Sequence, residues 1–275
     1  MRKFVIRFGG VSLGLVSLGL GALGSLAVAR GAPVAPPHPV LVELFTSQGC
    51  SSCPAADAFV RELPRLGYGR DRVIPLTFHI DYWDDLGWKD PFAAREFTER
   101  QRAYAQAGTL VSPRGEDGIH GSYTPQMVVA GQVHFSGARR DVALAEIQRA
   151  ASIPEIATLA AEAAIEGDQA KVTARLTTSE RPAAQQTWRL MVALALKQGR
   201  TDVKHGENSG ETLAEADIVR WLSSPVAISS DAGPVRVEVP KAHGLAWRDL
   251  ELVAFVQAKT TGHVIAVREI PLPSR

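Results

Sequence analysis

The chain of 275 residues has no excess of either charge, because 30 lysines and arginines face 29 acidic residues. A net charge of +1, with both signs interspersed, does not indicate a nucleic-acid groove or a strongly basic membrane-binding surface. Cysteine is scarce as well, since Cys50 and Cys53 are the only two. The seven histidines are scattered without a pair at metal-ligand spacing, so the sequence predicts neither a metal site nor a dissociable cofactor.

The N-terminus has the pattern of an export signal. Basic residues at positions 2, 3 and 7 precede an apolar run over 9–28, and Ala27-Val28-Ala29 is a small-residue cleavage site. No cysteine follows this run, which excludes a lipoprotein anchor, and there is no twin-arginine pair. We predict a signal peptide over 1–29, a proline-rich linker over 30–39, and a periplasmic or secreted protein. An uncleaved segment is the alternative, and it would be the only contact with a membrane.

Residues 40–152 alternate strand and helix signals, which is typical of an α/β domain with a mixed sheet and flanking helices. A helical segment is inserted at about 81–120; its helix is predicted from Pro91, which suits a first helical position. Asp141 is predicted as the N-cap of the last helix. The predicted strands are 40–45, 73–80, 127–130 and 132–135, and the predicted helices are 54–63, 91–107 and 141–151.

Residues 153–275 follow a different pattern, in which short alternating apolar stretches are separated by turn signals. This pattern predicts an all-β antiparallel sandwich domain after the α/β domain. The seven predicted strands are 156–165, 170–177, 188–197, 212–222, 235–239, 250–259 and 264–270.

The two cysteines lie where a strand pattern gives way to a helix pattern. An apolar strand followed by a short turn places both sulfurs at the first turn of a helix. There, unpaired backbone N–H groups and the positive end of the helix dipole stabilise a thiolate. A thiolate within reach of a second thiol is what disulfide exchange requires, so this pattern predicts a redox protein.

A strand, a Cys-x-x-Cys pair at a helix start and a later Thr124-Pro125 entering a strand resemble the thioredoxin superfamily. More specifically, the segments 45–54, 81–91, 100–101 and 123–126 resemble a family of exported bacterial proteins with a thioredoxin-like domain, known as a domain of unknown function. This second resemblance implies a thioredoxin-like fold but no substrate.

The superfamily resemblance implies a role for each motif residue. Cys50, the first and better exposed cysteine, would be the attacking thiolate, and Cys53 would resolve the mixed disulfide. Glu43 matches, with one residue extra before the cysteine, a buried carboxylate that moves a proton to the inner thiol; the alternative is a Glu43 that faces outward. Pro125 would be a cis proline that, with Tyr123 and Thr124, shapes the substrate edge.

Two further segments admit a functional and a structural interpretation. Trp83 and Trp88, in the acidic and aromatic segment 81–91, either bind substrate or pack the inserted helix onto the sheet, and packing is favoured. The segment 203–210 is predicted to be a structured hairpin loop, because Gly206 and Gly210 permit left-handed turns. A functional role for its Glu207 would need a partner that the sequence does not identify.

The leading prediction is therefore a thiol–disulfide oxidoreductase that acts on a protein or small-molecule thiol or disulfide and has a separate redox partner. The main alternative is a non-catalytic binding or assembly protein on a thioredoxin fold. The cysteines could also form a structural staple, although a loop this short stabilises little. A Cu(I) site with His79 or His120 as third ligand is a further alternative.

Overall fold

The computed structural model describes residues 38–113, 121–179 and 187–272. Within these ranges the helices are α1 (Pro54–Glu62), α2 (Arg95–Ala107) and α3 (Arg140–Ala151). The strands are β1 (Val40–Thr46), β2 (Val73–His79), β3 (Gln126–Val129), β4 (Val133–Ser136), β5 (Ala157–Glu166), β6 (Gln169–Thr178), β7 (Trp188–Asp202), β8 (Thr212–Leu222), β9 (Val226–Ile228), β10 (Val235–Pro240), β11 (Leu250–Ala258) and β12 (Val264–Ile270). The predicted signal peptide, and the predicted linker as far as residue 37, lie outside the described residues.

The described strands form a large mixed sheet and a small antiparallel one. The large sheet has nine strands in the order β12-β11-β7-β8-β2-β1-β3-β4, with β9 paired to β7. β2 lies parallel to both β1 and β8, whereas the other neighbours are antiparallel. The small sheet has the order β10-β6-β5. A mixed sheet with a few helices is thus confirmed, and no helix in the described ranges is long and apolar enough to span a bilayer.

Strands from both sides of residue 153 belong to the large sheet. They meet where β2 pairs with β8 at one position, Thr77 opposite Ile218. The Thr77 hydroxyl also donates a hydrogen bond to the carbonyl of Ala216, at 2.9 Å. A strand pairing of one residue pair leaves no pattern in the sequence. The division into two domains at 153 stays a prediction.

The faces of the large sheet are covered by different elements. On β1, Val42 and Leu44 pack in one cluster with α1 and α3, whereas Leu41 and Phe45 pack in another with α2. Alternate residues of β7 face α2 and the small sheet in the same way. Because helices cover both faces of β1, its sequence is continuously apolar, as the prediction of a strand buried on both faces requires.

Two helix starts differ from the prediction. α2 begins at Arg95, not at Pro91, because the preceding turn is fixed elsewhere. The Phe92 N–H donates to the Asp90 carboxylate, and the Ala94 N–H donates to the carbonyl of His79. At α3, Arg139 occupies the N-cap position and Asp141 lies in the first turn, where its charge still suits the helix dipole.

Candidate functional site

Cys50 and Cys53 form a disulfide at the start of α1, with their Cα atoms 5.4 Å apart. Cys53 is the N-cap residue, and Pro54 begins the helix. The Cys53 carbonyl accepts hydrogen bonds from the N–H groups of Ala56, at 2.8 Å, and Asp57, at 3.2 Å. The pair therefore occupies the helix start that the sequence predicts.

The sulfurs are not exposed, which corrects the expectation of a solvent-accessible Cys50. Cys50 is 1% exposed and Cys53 is 0% exposed, although Ser51 and Ser52 between them are exposed. The expectation rested on the local helix start alone. A segment about 150 residues later in the chain contacts the backbone around the disulfide.

This segment is the loop between β7 and β8, residues 203–211, called here the cover loop. The side-chain amide of Asn208 donates hydrogen bonds to the carbonyls of Gln48, at 2.9 Å, and Cys50, at 3.0 Å. The Ser51 N–H donates to the Glu207 carboxylate at 2.9 Å. Hydrogen bonds from the Ser51 hydroxyl and from this N–H lower the pKa of Glu207. The partner that the sequence does not reveal for Glu207 is thus the backbone between the two cysteines.

Trp83 and Trp88 flank the disulfide loop. The indole N–H of Trp83 donates to the Thr124 hydroxyl at 2.9 Å, and that of Trp88 donates to the side-chain oxygen of Gln48 at 3.1 Å. Both side chains are half-buried. They connect the inserted segment to the residues on either side of the site, and whether they also contact a substrate stays a prediction.

The Thr124-Pro125 peptide bond is cis. Pro125 is buried, and the Gly137 N–H donates to its carbonyl at 2.9 Å. Gly137 is wedged between α1 and this proline, since a Cβ there would lie 3.1 Å from the Ala56 Cβ and 3.3 Å from the Pro125 Cβ. Tyr123 precedes this dipeptide, and its hydroxyl lies 3.1 Å from His134 Nδ1. The proline therefore packs close to the helix that begins at the disulfide.

Glu43 is fully buried, but it faces α2 and not α1. Its carboxylate accepts hydrogen bonds from Arg100 Nε, at 2.6 Å, and from the Tyr104 hydroxyl, at 2.5 Å. Successive residues of a strand point to opposite faces, so the one extra residue before the cysteines places Glu43 across the sheet from α1. The alternative of a Glu43 facing solvent is wrong.

A different set of buried polar groups lies on the α1 side of the sheet. The Thr46 hydroxyl donates to the Asp57 carboxylate at 3.1 Å, and His79 Nδ1 lies 2.7 Å from the Asp90 carboxylate. Gln48 joins them to β8, because its amide donates to the Glu215 carboxylate at 2.9 Å. Residues four apart on a helix are neighbours, so Asp57 adjoins Cys53.

Burial and charge together set the protonation of this cluster. Burial raises the pKa of Asp57 to about 7, against the opposing charge of His79. Burial lowers the pKa of His79, but the charge and hydrogen bond of Asp90 outweigh it and raise this pKa to about 9. Burial also raises the pKa of Glu215. At neutral pH, His79 and Asp90 are therefore an ion pair, and Asp57 titrates.

The free energy of unfolding is expected to fall between about pH 6.5 and pH 9 because of His79. The pKa of His79 is about 9 in the folded chain and about 6.5 in an unfolded one, so its stabilising contribution is complete below pH 6.5 and is lost as the pH rises. The loss amounts to about 3 kcal/mol by linkage. Urea unfolding of the wild type and of His79→Gln across this range measures it.

His243→Gln is the matched control for this prediction, because His243 is exposed and has no place in the cluster. The control is expected to retain the fall in stability, whereas His79→Gln flattens it. Asp57 adds little in this range, since its own contribution is lost mainly between about pH 4 and pH 7. An equal fall in His79→Gln and wild type would contradict the assignment.

Sequence reasoning missed this cluster and the cover loop contact, although it named His79 as a possible copper ligand. Asp57 alone has a local signal, since it follows Cys53 by four residues within a predicted helix. Asp90, Glu215 and Asn208 reach the site only through the fold. In the described ranges no group of three histidine, cysteine or acidic side chains is arranged to hold a metal ion. His120, a predicted copper ligand, lies outside those ranges.

Comparisons with solved structures find similar folds. A crystal structure of a protein from Agrobacterium tumefaciens is 25% identical, with a TM-score of 0.61, and the match covers 86% of this chain and 95% of that one. HBP35 of Porphyromonas gingivalis is 14% identical, with a TM-score of 0.60, over 85% of this chain and 74% of its own. The second similarity shows the fold alone.

A comparison with curated proteins finds no match. A family model described as a protein of unknown function (DUF1223) matches residues 41–257. This range includes the disulfide, the cis proline and the cover loop, and it ends in β11. The chain therefore belongs to the DUF1223 family.

Proposed function

We propose that this protein is an exported thiol–disulfide oxidoreductase whose Cys50–Cys53 pair is closed by the cover loop and reacts when that loop opens. The observation that carries the proposal is the disulfide at the start of α1 with cis Pro125 packed beside the same helix. It agrees with the resemblance to the thioredoxin superfamily. We also propose the corresponding division into a thioredoxin-like domain and a β-sandwich domain.

Export is part of the proposal because a disulfide persists in an oxidising compartment. The N-terminal sequence, with its basic start, apolar run and small-residue cleavage site, supports the same conclusion. The periplasm or the exterior would supply both the oxidising conditions and the thiol or disulfide partner.

The reaction is a pair of thiol–disulfide exchanges. A substrate thiolate attacks Cys50 Sγ, the bond to Cys53 breaks, and its electron pair leaves as the Cys53 thiolate. A second substrate thiolate then attacks the mixed disulfide and releases Cys50. Two electrons and two protons pass from the substrate dithiol to the cysteines, and reversal of the steps reduces a substrate disulfide.

Asp57 suits the role of proton carrier for Cys53 better than Glu43. Its buried carboxyl adjoins Cys53 on α1, and its pKa of about 7 allows both protonation states near neutral pH. Glu43 lies on the other face of the sheet and is held by Arg100 and Tyr104. The protonated Asp57 would give its proton to the leaving Cys53 thiolate.

The mixed disulfide provides the test of this function. Cys53→Ala leaves Cys50 without its resolving partner, so incubation with oxidised glutathione is expected to add one glutathionyl group, which mass spectrometry detects. Cys50→Ala is the matched control and is expected to form much less adduct, because the proposal makes Cys50 the sulfur that exchanges with substrate. The proposal would be overturned if Cys53→Ala formed no glutathione adduct even when Asn208→Ala opens the cover loop.

The burial of both sulfurs favours a second function, a binding or assembly protein in which the disulfide only fastens the turn before α1. This alternative predicts that reducing the disulfide leaves partner binding unchanged and that the opened variant exchanges no thiols. The glutathione experiment therefore separates the two functions directly.

A further inference from the structure

Three buried polar atoms on the α1 side of the sheet have no hydrogen-bond partner within the described residues. They are Asp57 Oδ1, His79 Nε2 and Glu215 Oε1. All three side chains are buried, with exposures of 5%, 0% and 2%. A buried polar atom without a partner costs about 1–3 kcal/mol, so three in one cluster call for an explanation.

Each of the three side chains is oriented by its other polar atom. Asp57 Oδ2 accepts from Thr46, His79 Nδ1 pairs with Asp90, and Glu215 Oε2 accepts from Gln48. The unpartnered atoms are thereby held in place and left available. An imidazole with one nitrogen fixed and the other available can pass a proton.

His79 and Glu215 are close to each other, and Asp57 is bonded to Thr46, which lies opposite His79 in the register of β1 and β2. His79 Nε2 lies 3.9 Å from Glu215 Oε1, which is too long for a direct hydrogen bond but within reach of a small rotation or one bridging water. Asp57 interacts electrostatically with both His79 and Glu215. The other charges facing the cluster are Asp90, on the inserted segment, and Arg220, on β8.

Of these three groups, Asp57 lies nearest the disulfide, and Glu215 lies next to a cavity. Asp57 adjoins Cys53 on α1. Glu215 lines a cavity of about 520 Å³ between the end of α1 and strands β7 and β8. Five basic side chains line the same cavity, and they are Arg61, Arg65, Arg70, Lys197 and Arg200.

We propose that Asp57, His79 and Glu215 form a proton relay that connects Cys53 with solvent in this cavity. The relay rests on the proposed function, and it assigns a part to β8, far from the cysteines in the sequence. When the disulfide is reduced by a dithiol, Asp57 gives a proton to the Cys53 thiolate, His79 Nε2 reprotonates Asp57, and Glu215 reprotonates His79. Glu215 then takes one proton from the cavity, so each relay group ends in its starting state.

The test compares rates of disulfide reduction by dithiothreitol in Glu215→Gln and in Glu238→Gln, which alters an exposed acid on β10. Rates from pH 5 to pH 8 are corrected for the thiolate fraction of the reagent. Glu215→Gln is expected to be about tenfold slower or more, whereas Glu238→Gln matches the wild type. Glu215→Asp, which keeps the acid, is expected to recover part of the rate.

A second variant separates a relay from a structural role. Glu215→Ala leaves room for a small acid, so added formate is expected to restore its rate while leaving the wild-type rate unchanged. Wild-type rates in Glu215→Gln, or a loss that neither Glu215→Asp nor formate repairs, would overturn the relay. Neither result affects the proposed function, which fails only if Cys53→Ala forms no mixed disulfide with glutathione even when Asn208→Ala opens the cover loop.

Discussion

Replacing Asn208 with alanine is expected to make the Cys50–Cys53 disulfide react with dithiothreitol about tenfold to a hundredfold faster. The Asn208 amide makes two hydrogen bonds to the backbone around Cys50, at 2.9 and 3.0 Å, and alanine makes neither. Each is worth about 0.5–1.5 kcal/mol, so the opened state gains about 1–3 kcal/mol relative to the closed one. Alkylation of the released thiols, followed over time by mass spectrometry, measures the rate.

Ser209→Ala is the matched control, because Ser209 lies in the cover loop but donates only to the carbonyl of Lys204. Its rate should stay close to that of the wild type. Glu207→Gln is expected to have a smaller effect than Asn208→Ala, since Glu207 is exposed and accepts one backbone hydrogen bond. If Asn208→Ala and Ser209→Ala react at the same rate, the cover loop does not control access to the sulfurs.

Replacing Arg100 with methionine is expected to lower the free energy of unfolding by about 3–5 kcal/mol. The change leaves the Glu43 carboxylate fully buried without the guanidinium that pairs with it at 2.6 Å. It also removes the stacking of the guanidinium over the rings of Tyr104, at 5.1 Å, and Phe255, at 5.2 Å. Urea unfolding followed by circular dichroism measures the loss.

Arg95→Met on the same helix provides the comparison. Arg95 pairs with Glu99 one turn later, at 3.0 Å, but both side chains are exposed, and such a pair contributes about 0.3–0.5 kcal/mol. Equal losses in the two variants would show that the burial of the Glu43–Arg100 pair has no energetic consequence. A loss in Arg100→Met that Glu43→Gln fully restores would confirm that the unpaired charge is the cause.

Most of the helices and strands were predictable because their signals are local. The seven strands predicted after residue 153 all occur. The predicted end of β7 at 197 is wrong, because the strand continues through Gln198 and Gly199 to Asp202, where it stays paired with β8. β9 was missed because its three residues are too few for a pattern. The start of α2 was placed one turn too early at Pro91, because a hydrogen bond from Ala94 to the carbonyl of His79 on β2 fixes the chain just before the helix. The N-cap of α3 was placed two positions too late, at Asp141 and not at Arg139.

The candidate site was predictable only in part. The cysteine pair and Thr124-Pro125 are motifs, and the structure places both beside α1. The face on which Glu43 lies depends on the parity of a strand position, and one residue of offset reverses it. Asp57 was within reach of a spacing argument, whereas the contacts of Glu215 and Asn208 with the site span more than 150 residues.

The sequence by itself determined the spacing of the two cysteines, the helix that follows them and the succession of strands along the chain, because these depend on neighbours within a few residues. Only the tertiary structure decided that β8 joins β2, that the cover loop bonds to the backbone of Cys50, and that Glu43 faces away from α1. The physical reason is that burial and hydrogen bonding act between surfaces. The number of residues between two segments does not determine whether their surfaces come into contact. It is this contact that sets the exposure and the proton affinity of a group.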